Sequence, residues 1–219
     1  MTTQLGQLAV SSQPETTPST SGAGIYFSQT GHSIVTFKDF WQRSGGLETF
    51  GYPLSDEQVE TDPDSGKTVV IQYFSTQILE YHPEFAGTPY EVQLQRLGAD
   101  DAVRRGLLST TAFQPVAPPS TDRDDCVYYS ETNHQVCGPF LDFWRTHGLE
   151  FGDSGISGRE ALALFGYPIS EQFTNSATGA VTQYFERARM ELQPGASGLT
   201  PVVLGWLGAD LLYARQPSS

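Results

Sequence analysis

Two histidines, His32 and His134, stand at matched places in the chain. Each lies two residues after a threonine (Thr30, Thr132) and shortly before a Phe-x-x-Phe-Trp run. An imidazole titrates near neutral pH and can donate, accept or ligate, so a repeated histidine is a candidate for acid/base work or for gripping a ligand. The competing use is structural, the ring satisfying backbone groups of a turn that leads into a helix. His82 and His147 have no counterparts, so a shared metal site is not supported and no metal or other cofactor is expected.

The carboxylates and hydroxyls make weaker cases. Glu80 and Glu191 are matched, but glycosidases need a facing pair about 5–10 Å apart, and each copy offers one matched acid. Asp62-Pro63-Asp64-Ser65-Gly66 has the alternating carboxylates of a calcium loop without the later bidentate glutamate. The second copy holds no acid there (Thr174 to Gly179), so a polar hairpin loop is expected. Gly152-Asp153-Ser154-Gly155 imitates the nucleophile of trypsin-like proteases. Such a serine needs a histidine base and an oriented carboxylate on a double-barrel scaffold. Ile156-Ser157 follows it in place of Gly-Pro, and a flexible loop is the expectation. No catalytic residue is assigned.

Sugar faces stack on exposed aromatic rings, which directs attention to Trp41, Tyr73 and their partners. Yet Phe37, Phe40 and Trp41 fall at i, i+3 and i+4, the stripe of a helix packed on a core. Tyr52 and Tyr167 sit in Gly-Tyr-Pro turns and are the better ligand-binding candidates, together with His32 and His134. Trp206 has no counterpart and is expected to be packed.

The elements that must position these groups are written twice. Phe50-Gly51-Tyr52-Pro53-Leu54-Ser55, Gln72-Tyr73-Phe74 and Leu97-Gly98-Ala99-Asp100 return in order as Phe165-Gly166-Tyr167-Pro168-Ile169-Ser170, Gln183-Tyr184-Phe185 and Leu207-Gly208-Ala209-Asp210. Each copy is one packing unit of a scaffold or binding array, and a single catalytic centre has no need of duplication. Each reads as a short strand, the Thr-x-His turn and a short helix that Thr36 could cap in the first copy. An extended Gly-Tyr-Pro turn follows, then a hairpin (Val69 to Phe74 with Gln77 to Tyr81; Val181 to Phe185 with Ala188 to Leu192), another strand and a final helix. The order Asp100, Asp101, Arg104, Arg105 along that first final helix complements its dipole. The predicted class is α+β: two tandem related units, each a small antiparallel sheet with short helices. The bounds are a Ser/Thr/Pro-rich tail (1–23), a first unit (24–110), a Pro-rich spacer (111–125) and a second unit (126–215). Between Trp144 and Phe165 the second copy holds about a dozen extra residues, helical from Arg159 to Leu164, where repeat arrays often specialise.

Composition narrows the partners. A net charge of −13, with 12 basic residues against 25 acids, argues against nucleic acid and anionic membrane. No apolar run approaches the ~20 residues that span a bilayer. Cys126 and Cys137 fit neither C-x-x-C nor a zinc finger; a disulfide stapling the start of the second unit is expected over free thiols or a metal pair. A bridge implies an oxidising compartment. The sequence as given opens with no charged-then-apolar leader.

The run Thr30-Gly31-His32-x-Ile34, Phe37-x-x-Phe40-Trp41, Gly45-Gly46-Leu47-x-x-Phe50-Gly51-Tyr52-Pro53-Leu54-Ser55-Asp56-Glu57 resembles the LGFP-type repeats of extracellular and cell-envelope proteins of bacteria. It is also similar to a longer Phe-Gly-Tyr-Pro repeat of exported bacterial proteins. The resemblance covers both units and implies a secreted or cell-surface, non-catalytic role. The expectation is a module binding a cell-wall or extracellular polysaccharide. The alternatives are an assembly protein contacting other envelope proteins and a hydrolase with a site in the 150–160 insertion.

Overall fold

Short alternating runs broken by glycine and proline yield twelve strands and six α-helices among the described residues. The computed structural model describes residues 24–62, 65–121, 123–152, 154–193 and 201–215. The expected tail (1–23) lies outside them. In the first copy, β1 (Ile25–Phe27) and β2 (His32–Ile34) make a hairpin, followed by helices α1 (Lys38–Arg43) and α2 (Gly46–Phe50). An antiparallel sheet in the order β3 (Gln58–Thr61), β4 (Thr68–Tyr73), β5 (Ile78–Tyr81), β6 (Val92–Leu94) leads to α3 (Leu97–Arg104).

The second copy repeats this plan. The hairpin is β7 (Cys126–Tyr129) with β8 (His134–Cys137), and the helices are α4 (Gly138–Thr146) and α5 (Gly158–Phe165). The sheet contains β9 (Phe173–Thr174), β10 (Val181–Tyr184), β11 (Arg189–Leu192) and β12 (Val202–Leu204), each paired with the next, and α6 (Leu207–Ala214) ends the unit. The fold is α+β, as the periodicities indicate. The first hairpins turn on a residue with positive φ, Gly31 at 77° and Asn133 at 57°. Asparagine is among the few residues other than glycine that enter this region readily, which is why it can replace Gly31.

The two units share one core. Phe27, Phe37, Phe40, Trp41, Phe50 and Phe74 belong to the same buried cluster as Phe140, Trp144, Leu164, Phe165 and Phe185. They also exchange their last helices: α3 packs against β10 of the second unit, and α6 against β4 of the first. Leu207 thereby joins Val69, Ile71, Tyr73 and Ile78, while Ala102 joins Tyr184 and Phe113. Each buried leucine contributes about 1.5–3 kcal/mol.

Three local expectations change, and one helix, α2, has no forerunner among the sequence-based expectations. Helix α1 begins at Lys38 without a side-chain cap, and Thr36 Oγ1 instead donates to Glu57 Oε2 at 2.7 Å. The five residues of α2 form a helix in the place that α5 takes in the second copy. The spacer is seated at its start: Phe113 is buried, its ring 5.3 Å from that of Tyr184, because Ala112-Phe113 supplies an apolar foothold among the prolines. Trp206 is 66 % exposed. It precedes α6 as Arg96, also exposed, precedes α3, at a corner that faces solvent in both units.

Candidate functional site

The repeated residues build the scaffold. Gly51 and Gly166 have φ of 71° and 73°, and a Cβ at either would run into the side chain of Ser75 or Glu186. The next residues present Tyr52 edge-on to Phe27, ring centres 5.9 Å apart, and Tyr167 edge-on to Tyr129 at 5.8 Å. Gln72 and Gln183 are fully buried. Gln72 Nε2 donates to Ser33 O and Ser55 O, and Gln183 Nε2 to Gln135 O and Ser170 O, all at 2.8 Å. Each amide thus bolts a hairpin and a Gly-Tyr-Pro turn to its sheet.

The candidate histidines take part in the same clamp. His134 is buried with Nδ1 3.1 Å from Glu171 Oε1, which also accepts from the backbone N–H of Gln135. His32 is more open, its Nδ1 3.5 Å from Asp56 Oδ1, an ion-pair distance; Asp56 accepts from Ser33 N–H. In each unit the histidine pairs across the hairpin with the aromatic residue that its tyrosine packs on, His32 with Phe27 and His134 with Tyr129. The structure brings each Tyr–His set to one hairpin, once per unit.

Segments without a counterpart, together with the ends of the repeated strands, build a groove instead. The loop between β5 and β6 carries a 3₁₀ turn, Pro83–Phe85, that leaves Phe85 43 % exposed and Tyr90 46 % exposed. Beside it lies a cavity of 360 Å³ lined by Lys67, Glu80, His82, Glu84, Phe85 and Arg96 among others. It shares Gln93, Leu94 and Arg187 with a second lobe of 240 Å³. The larger lobe falls in the lower part of the size range that holds small ligands, and the smaller lobe falls just below it. None of Tyr52, Tyr167, His32 and His134 lines either lobe.

The floor of the larger lobe is a buried polar chain. Gln95 Nε2 donates to Glu80 Oε1 at 2.6 Å, and His82 Nε2 lies 3.4 Å from Glu80 Oε2. His82 Nδ1 is 3.6 Å from Glu84 Oε1, which Lys67 Nζ approaches to 3.2 Å. Burial raises the Glu80 carboxyl above its ordinary value and the Asp62 charge adds to this, against the opposing hydrogen bonds from Gln95 and His82.

The smaller lobe joins the two units. Tyr90 meets Phe151 of the second copy's insertion edge-on, ring centres 5.9 Å apart, and the Arg159 guanidinium stands 5.1 Å from the Phe151 ring centre. The insertion is held in place by Glu160. One of its oxygens accepts from Phe151 N–H at 2.9 Å, and the other from Ser157 N–H at 2.7 Å in a reciprocal cap at the start of α5.

No protein-family model matches this chain, and no curated protein does. The site is therefore read from its geometry. Ser154 is exposed, and no histidine hydrogen-bonds it among the described residues. Asp62 holds its own turn, accepting from Ser65 N–H at 3.2 Å; Asp64 lies outside the described residues. No group of three or more His, Cys, Asp or Glu among the described residues could hold a metal ion. Glu191 accepts from Arg189 Nε at 2.6 Å, a salt bridge. Cys126 and Cys137 are joined by a disulfide across directly paired positions of β7 and β8. No helix among the described residues is long and apolar enough to cross a membrane.

Sequence reasoning missed Phe85, Tyr90, Gln93, Gln95, Arg159 and Arg187 as neighbours. The available signal was their position: Phe85 and Tyr90 fall in a stretch without recognisable repeat, and Phe151 and Arg159 in the insertion.

Proposed function

We propose that the chain is a non-catalytic module of a secreted or cell-surface protein that binds a polysaccharide of the cell envelope or its surroundings in this groove. The observation that carries the reading is that Phe85, Tyr90 and Phe151 line the same two-lobed groove as Gln93, Glu84, Lys67 and Arg187. Aromatic faces take the apolar faces of sugar rings, while amide, carboxylate and cationic groups take their hydroxyls. The disulfide and the resemblance to LGFP-type repeats support the setting.

Co-sedimentation with insoluble peptidoglycan, cellulose and chitin tests the reading. Binding to one of them is expected, weakened about tenfold by Tyr90→Ala or Phe85→Ala. The Tyr52→Ala/Tyr167→Ala variant keeps binding if it stays folded. Loss in that variant alone would move the site to the Gly-Tyr-Pro turns, and failure to bind any polymer ends the reading.

A second reading, contacts with other protein chains, is favoured by Trp206 and Tyr213, at 66 % and 62 % exposure. It predicts concentration-dependent self-association in sedimentation velocity, lost in Trp206→Ala.

A further inference from the structure

We infer that the smaller lobe of the groove is a subsite for a sugar ring bearing a carboxylate, its face against Tyr90 and Phe151 and its charge between Arg159 and Arg187. The inference rests on the glycan reading above and names the class of glycan. In a chain with 25 acids and 12 basic residues, this lobe is lined by two arginines and by no aspartate or glutamate. The larger lobe next to it mixes both signs. A cationic, aromatic recess on an acidic protein selects against the protein's own charge, which favours a specific anion over general attraction.

The two guanidinium groups come from different elements, Arg159 from α5 and Arg187 from the turn after β10. Arg159 is exposed on the first turn of α5, and no ion pair to a carboxylate engages it among the described residues. Its stacking over Phe151 holds the planar fork beside the ring that would take the sugar. Arg187 extends from the turn after β10, with Nε donating to Leu94 O at 3.3 Å. The neighbouring Glu186 is 3.9 Å from Arg187 Nη1, so the guanidinium is held at the edge of the lobe by contacts on both its Nε and Nη1 sides. Glu186 also meets Arg96 at 3.2 Å and accepts from Tyr167 N–H at 3.1 Å. A guanidinium fork matches a carboxylate through two parallel hydrogen bonds, which fixes orientation as well as charge.

The wall is rigid in advance, since Glu160 ties Phe151 and Ser157 to the same helix end that carries Arg159. Little ordering is left for the ligand to impose, which lowers the cost of binding.

Titration calorimetry with a uronic-acid oligosaccharide and with the same oligosaccharide after reduction of its carboxyls to alcohols tests the assignment. The acidic oligomer is expected to bind about tenfold more tightly, the difference shrinking as sodium chloride rises from about 50 to about 500 mM. Arg159→Gln, an exposed position whose unchanged thermal midpoint confirms folding, should bring the two affinities within about twofold of each other. Arg187→Gln should do the same. Equal affinities in the unaltered protein overturn the carboxylate subsite and leave the glycan reading standing. No binding of either oligomer also overturns the carboxylate subsite, while co-sedimentation with the three polymers decides the glycan reading separately.

Discussion

Asp101 of helix α3 accepts a hydrogen bond from Arg189 Nη1 of strand β11 at 2.9 Å, so a residue of the first copy holds the sheet of the second. The same carboxylate accepts from Tyr184 Oη at 2.9 Å and from Arg105 Nε at 2.8 Å, and is 4 % exposed. Arg105 in turn reaches Asp210 of α6 at 3.1 Å. One buried anion therefore links both exchanged helices. At the matched end of α6, Arg215 bonds Tyr73 Oη and meets Glu60 at 2.6 Å, so a cation does the corresponding work on the first sheet.

Removing this anion leaves Arg189 with Glu191 as its remaining close partner, at 2.6 Å. Breaking a buried pair from one side costs about 3–5 kcal/mol, and the retained bridge offsets part of that. Asp101→Ala is therefore expected to lower the urea midpoint strongly, and Asp101→Asn less, since an amide oxygen still accepts. Burial alone would raise the Asp101 carboxyl; the hydrogen bonds from Arg105 and Tyr184 and the charges of Arg105 and Arg189 outweigh it and hold the group below its ordinary 3.8. With the folded value below the unfolded one, its contribution is complete above about pH 4 and is lost as pH falls through the folded value. Asp101→Asn should lack that part of the acid sensitivity. A variant as stable as wild type would remove Asp101 from the linkage.

The glycine of Leu-Gly-Ala-Asp sits where the exchanged helix touches the other unit. A Cβ on Gly98 would collide with the carbonyl oxygens of Phe185 and Ala188, and one on Gly208 with those of Phe74 and Gln77. Next to them, Ala99 N–H donates to Glu186 O at 3.0 Å and Ala209 N–H to Ser75 O at 3.1 Å. Alanine favours a helix over glycine by about 1 kcal/mol. Overpacking against backbone that cannot turn away costs about 1–3 kcal/mol. The clash wins, so Gly98→Ala and Gly208→Ala should each lower the thermal midpoint. A rise in either variant would contradict the close approach.

What the sequence disclosed follows from period. The stripe Phe37, Phe40, Trp41 and the pair Val69 to Phe74 with Gln77 to Tyr81 announce a helix and a hairpin because local side-chain spacing decides them. Helix exchange was not legible. The apolar residues of α3 and α6 demand a partner surface, but no local pattern says which of two near-identical sheets supplies it. The order Asp100, Asp101, Arg104, Arg105 reads as a dipole match, whereas Asp101 points inward to Arg189. The groove was hidden for another reason. Phe85, Tyr90 and Arg159 lie outside the repeat, and their proximity depends on how the two units dock.

The Cys126–Cys137 bridge closes a short loop within a hairpin that is already paired. Loop entropy sets its contribution at about 3 kcal/mol at most. Reduction should lower the thermal midpoint while far-ultraviolet circular dichroism below the transition stays the same. Loss of secondary structure on reduction would mean that the bridge holds more than its own hairpin.

Glu80 titrates in the opposite sense to Asp101. Its folded value is raised above the ordinary 4.5, first by burial and then by Asp62. The folded protein thus holds this proton more tightly than the unfolded chain, and stability falls as pH climbs from about 4.5 through the folded value. Above that value the ionised carboxylate is a standing cost. Glu80→Gln cannot ionise, yet its amide oxygen can still accept from Gln95 and its amide nitrogen can donate to His82. The variant is expected to match wild type at low pH and to exceed it at neutral pH. Urea denaturation across that range measures the difference directly. Lower stability of Glu80→Gln at neutral pH would show that the charged carboxylate is required by His82 and Gln95, and the floor of the groove would then be anionic.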